Sequence, residues 1–119
     1  MSFRAVILEP DGSGRVSTLE GYDDIKAALN GGWLEALRIT DDIVAYIDEE
    51  GKMKNLPPNA IATGICREMD IGLHPDDFIV GPFVLCGQKQ SDDPEEGLVD
   101  CDLPVEFMTR FFGDPAERN

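Results

Sequence analysis

Residues able to do chemistry are few in this chain, and the densest group is Asp48-Glu49-Glu50-Gly51-Lys52, which opens the stretch running through "NLPPNAIAT" to Thr63. Three reaction types use such residues. A calcium loop takes acids at alternate positions, then a glycine and a distant glutamate. Here the acids are adjacent, so in an extended chain they point to opposite sides. A phosphate loop needs an upstream glycine and a Ser or Thr after the lysine, and Gly51-Lys52 has neither. A carboxylate pair for acid–base work would be Glu35 with Asp48 across a hairpin, an arrangement far rarer than acids on a solvated face. The single histidine, His74, has no partners at ligand spacing and reads as a loop residue. Cys66, Cys86 and Cys101 are far apart, odd in number and outside any C-x-x-C pattern, which describes free thiols in a reducing compartment. No catalytic residue, metal ligand or cofactor site is expected, and the protein is read as a non-enzyme.

The turn reading accounts for more of this stretch. Gly51 is expected in the left-handed conformation, reversing the chain after a strand, with Lys52 and Lys54 returning beside the acids. Pro57 and Pro58 force an extended segment. Asn59 is placed to cap a helix from Ala60, with Ile61, Ile65 and Met69 inward.

The elements around it follow from pattern. Residues 3–10 and 15–20 form a hairpin through "DGSG". Residues 22–32 hold a short helix, capped by Asp23 or Asp24 and stopped by Asn30-Gly31-Gly32. Residues 33–40 and 43–50 form a second hairpin through Asp41-Asp42, where aspartate's tolerance of positive φ allows a tight turn. Residues 77–87, apolar on both faces, read as a central strand with a bulge or bend at Gly81 and Pro82. The division expected is a core domain over 1–88, an acidic linker or loop over 89–101, a helix over 102–113 with Asp102 as cap and Gly113 as stop, and a tail over 114–119. The fold class is α+β: a mostly antiparallel, curved sheet or partly open small barrel with two or three short helices.

Composition limits function. At 119 residues and 42% apolar the chain is one globular domain. No apolar run approaches the roughly 18–20 residues of a membrane span, and the first residues lead directly into a strand pattern, so a cytoplasmic protein without a membrane partner is expected. Twenty-four acids against ten bases give a net charge of −14, half of it after residue 90. That field repels nucleic-acid backbones and anionic membranes, so direct nucleic-acid binding is excluded.

"GGWLEAL", "IVAYIDEEGKMKNLPPNAIAT" and "DFIVGPFVLCG", spread over residues 3–88, together resemble a small domain-of-unknown-function family met in actinobacteria and their bacteriophages. The connection from Gly64 to Asp77 is longer than in that pattern, and the tail after Gln88 looks particular to this chain. The family brings no activity; the resemblance implies a phage- or mobile-element-type accessory protein in the host cytoplasm.

The resulting expectation is a non-enzymatic protein that binds and modulates a host protein, with counter-defence as one setting. Its partner-binding residues would be Phe107, Met108, Phe111 and Phe112 on the terminal helix, a surface that also allows homo-oligomers. One alternative is an acidic DNA mimic that occupies a nucleic-acid-binding protein. Another is a small-ligand sponge for nucleotide signals, using Trp33 or Tyr46 to stack and Asn59 and Thr63 to hydrogen-bond.

Overall fold

The computed structural model describes residues 2–112. The elements in chain order are β1 (Phe3–Leu8), β2 (Gly14–Leu19), α1 (Tyr22–Ala28), β3 (Leu34–Thr40), β4 (Ile43–Asp48), α2 (Ala60–Glu68), β5 (Phe83–Gln90), β6 (Leu98–Cys101) and α3 (Val105–Phe112). All six strands form one antiparallel sheet in the order β2-β1-β5-β4-β3, with β6 also pairing β5. The sheet is open, with β2 and β3 at its edges, so the α+β class holds and no barrel closes.

Side chains alternate across a strand, and in β1 this alternation feeds two cores. Phe3, Ala5 and Ile7 join Leu19, Ile25, Leu29, Val44, Val84 and Cys86 under α1. Val6 and Leu8 join Ala45, Ala62, Ile65, Cys66, Phe83, Leu85, Leu103 and Phe107 under α2 and α3. Helices on both faces explain why β5 reads as a continuous apolar run.

On β5, β4 occupies one side, while the other is shared end to end by β1 and β6. Val6 lies opposite Leu85 and Cys101 opposite Gly87. The Leu103 amide donates to the Arg4 carbonyl at 2.9 Å, closing the seam between them. A Cβ on Gly87 would lie 2.3 Å from the Asp102 carbonyl oxygen, so the crossing admits only glycine.

Several local expectations change. The segment 89–101 is no linker: β5 runs to Gln90, turns through residues 91–97 and returns as β6. Asp102 does not cap α3; its carboxylate accepts the Arg4 amide at 2.6 Å, and the first turn of α3 bonds to the Pro104 carbonyl. Gly113 and the tail 114–119 lie outside the described residues. Gly21, not an aspartate, stands at the N-cap of α1, while Asp24 accepts the Glu20 amide. Neither Asp41 nor Asp42 has positive φ; Arg38 donates to the Thr40 and Asp41 carbonyls and so holds that turn. Gly51 is not left-handed either. Asn55 takes that role at φ 56°, and Gly51 is glycine because a Cβ would sit 2.9 Å from Val80. Gly81 does bend the chain, at φ 75°, and β5 starts only after Pro82. In α2 the inward stripe is Ala62, Ile65, Cys66 and Met69, while Ile61 is exposed. No helix among the described residues is long and apolar enough to cross a membrane.

Candidate functional site

A hollow opens where the β3–β4 hairpin meets the segment 69–80. It encloses about 350 Å³, with Leu37, Ile47, Ile71, Leu73 and Ile79 as an apolar floor and Glu35, Glu49 and Asp77 among the charged residues of its wall. Each side is held by specific chemistry. The hairpin register sets Glu35 opposite Ile47 and Leu37 opposite Ala45, so Glu35, Leu37 and Ile47 face the same way. The other wall follows α2, where Asp70 and Gly72 take positive φ (52° and 85°) and turn the chain back. Arg67 then donates to the carbonyls of Pro75 and Asp77, and Thr63 Oγ1 accepts the Ile79 amide at 2.9 Å. Lys52 pairs with Asp77 and lies 5.2 Å from the ring centre of Phe78, tying the loop after β4 to this wall. Phe78 is 43% exposed and stands at the mouth.

The residues singled out from sequence are placed elsewhere and do not converge. Asn59 is fully buried: its Oδ1 accepts the Ala62 amide at 3.1 Å, while Nδ2 donates to the carbonyls of Leu8 and Gly81 at 3.0 and 2.9 Å. Thr63 donates to the Asn59 carbonyl at 2.8 Å. These two belong to the scaffold on the α2 side. Tyr46 faces α1; its hydroxyl donates to Asp100 Oδ1 at 2.7 Å, and burial, with Asp100 beside it, pushes the phenol above its ordinary value. Asp100 also accepts from Gln88, which in turn accepts from Arg38, so this polar chain fastens β6 across the sheet. Trp33 is 61% exposed, with Lys26 over its ring.

The aromatic set on α3 is likewise turned inward. Phe107 is 6% exposed and part of the core, its ring 4.7 Å from that of Phe111, and Met108, Phe111 and Phe112 pack against the same cluster. The helix therefore covers its own sheet, with Phe107 buried and Met108, Phe111 and Phe112 half-buried, while Val105 is exposed.

The acids of "DEEGK" separate as well. Asp48 is 5% exposed, accepts the Glu50 amide at 2.9 Å and pairs with Lys54 at 2.8 Å, while Gly32 packs so closely that a Cβ would fall 2.3 Å from its carboxylate. Asp48 lies opposite Leu34, one residue out of phase with Glu35, so the two make no carboxylate pair. His74 Nδ1 accepts the Asp76 amide, a turn contact. All three cysteines are free. Burial pushes the Cys66 thiol up to about 11 and raises Cys86 further, with Asp100 adding to the latter; Cys101 is raised too, again mainly by burial. Thiols in that state are poor nucleophiles. Among the described residues no group of three or more His, Cys, Asp or Glu is arranged to hold a metal ion.

Sequence reasoning misses the cleft because it assigns no element or site to residues 70–76, between the helix from Ala60 and the strand from residue 77. The clue was present: Ile71, Leu73 and Phe78 are too apolar for a loop that packs on nothing.

Fold and cleft together define an α+β domain whose unclosed antiparallel sheet is covered on both faces and hollowed at one edge. The chain belongs to the family described as Domain of unknown function (DUF3846), which it matches over residues 3–112. The match includes β6 and α3, so the part after Gln88 is not peculiar to this chain. No curated protein matches the chain. No solved structure matches it either.

Proposed function

We propose that this is a non-catalytic binding protein that docks onto another protein through the cleft and modulates it. The observation that carries the reading is the make-up of that cleft. An apolar floor deep enough for one or two side chains is flanked by Glu35 and Glu49 and by the Lys52–Asp77 ion pair, in a chain of net charge −14. Such a surface suits a partner that offers an apolar side chain flanked by lysine or arginine, with the acidic field speeding encounter. The condition of the reactive side chains supports binding over chemistry: raised thiols, a histidine engaged in a turn and a tyrosine committed to Asp100. The biological setting, a phage- or mobile-element-type accessory protein acting on a host protein in the host cytoplasm, rests on the resemblance of the DEEGK, LPPN and IVGP motifs.

Affinity capture from an actinobacterial host extract tests this, with the unaltered protein and Phe78→Ala as parallel baits and eluates read by mass spectrometry for proteins and small molecules. Phe78 is exposed, so its truncation leaves the core intact. One host protein retained in near-equal amount by the unaltered bait and depleted about tenfold with the variant is expected. A stoichiometric small molecule with no protein, or equal capture by both baits, overturns the reading.

A further inference from the structure

The cleft is continuous with a free sheet edge. β3 pairs with β4 on one side and closes the sheet on the other, with no further strand beside it among the described residues. Its pairing is regular from Leu34 to Arg38, and the irregularity that disrupts such edges comes only between Arg38 and Thr40. An unpaired strand of that kind is a template for another extended chain. Glu35 and Leu37 belong to both features: they stand on the edge strand and line the cleft.

Local charge selects the visitor. Glu35 is exposed on β3, with Glu49 and Asp77 in the cleft wall and Asp41 and Asp42 at the hairpin turn. Lys52 and Asp77 cancel as a pair. Arg38, which keeps its charge while bonding Gln88 and the turn carbonyls, lies one residue out of phase with Glu35 and Leu37, so Glu35 and Glu49 set the charge on the cleft side. A second copy of this chain fits poorly. Antiparallel pairing of two β3 strands about Ala36 would put Glu35 opposite Leu37 and bring the acids of both copies together, in molecules that each carry −14.

We infer that β3 takes up an extended segment of a partner protein by strand addition, with a lysine or arginine opposite Glu35 and an apolar side chain opposite Leu37 that enters the cleft. Backbone pairing along residues 34–38 provides the hold, and the alternate side chains on the cleft side provide selectivity. The inference rests on the reading of this chain as a binding protein and specifies how it binds.

The probe is a short synthetic peptide with lysine and valine alternating along one face and threonine on the other. Its controls are a version with glutamate for lysine and a version N-methylated at alternate amides, which keeps the charge but cannot pair as a strand. Titration into isotope-labelled protein, followed by NMR, is expected to shift the amides of residues 34–38 and slow their hydrogen exchange. Glu35→Lys, the glutamate peptide and the N-methylated peptide should each bind about tenfold more weakly or worse. Equal binding of the N-methylated peptide, shifts confined to other strands, failure of the lysine peptide to bind, or sedimentation showing a dimer through β3 overturns the inference. Competition separates the two readings. If a host protein is captured through the cleft and excess lysine peptide does not displace it, strand addition fails while the binding role stands. If the peptide pairs with β3 and no host protein is captured, strand addition stands and the proposed partner class fails.

Discussion

Asn59 shows how much one side chain does here. As a helix cap it needs only an acceptor, and aspartate would serve as well. The structure adds two donations from Nδ2, to the carbonyls of Leu8 at the end of β1 and Gly81 at the bend before β5, in a fully buried position. Asn59→Ala leaves both carbonyls and the cap unpaired, a loss of about 2–4 kcal/mol. Asn59→Asp keeps the cap but turns a carboxylate toward two carbonyl oxygens, so it should destabilise at least as much, and urea unfolding of the two variants checks the order. A role limited to capping would leave Asn59→Asp near the unaltered protein. The cap was legible in the sequence, because Asn before an apolar helical run is a local pattern; the two donations were not, since their acceptors lie 51 and 22 residues away. Cys66, two turns along α2, gives a second expectation at this scale. Burial raises its thiol from 9.0 to about 11. A native value above the unfolded one means the contribution is complete below pH 9 and lost as pH rises toward 11. The urea midpoint should therefore fall across that interval, with Cys86 and Tyr46 shifted in the same direction, and Cys66→Ala should make the fall shallower.

At the scale of elements, the part of the chain after Gln88 changes character most. Composition suggests an acidic linker or loop followed by a helix; pairing and burial make both part of the core. Leu103 is fully buried and Phe107 nearly so, and β6 completes one side of β5. Ending the chain after Gly87 is expected to abolish cooperative unfolding rather than simply remove a docking surface, and Phe107→Ala should cost about 3–5 kcal/mol. Circular dichroism melts of both check this; a sharp transition in the shortened chain would show that the first elements fold without the last. Local patterns did identify the hairpins, α1, α2 and α3, because each rests on alternation or helical spacing within a few residues. Strand β6 escaped because "LVDC" is four residues long in an acidic setting and earns its place only against β5. Alternation along β4 sends Ile43, Ala45 and Ile47 to one core and Val44 and Tyr46 to the other. The cleft was illegible for the opposite reason: its walls join residues more than thirty positions apart, and no local rule brings Leu37 to Leu73.

For the molecule as a whole, the order in which the parts meet follows from the seam on β5. The central strand gains its β1 neighbour from the beginning of the chain and its β6 neighbour from near the end, and the Leu103 amide bonds back to the Arg4 carbonyl. On a ribosome, which releases the chain from the N-terminal end, β1 and β2 can pair early, but the core beneath α2 and α3 lacks Leu103 and Phe107 until the last tenth of the described chain has emerged. The domain thus cannot complete its fold until α3 is available, and β1 is held in reserve for a partner some eighty residues downstream.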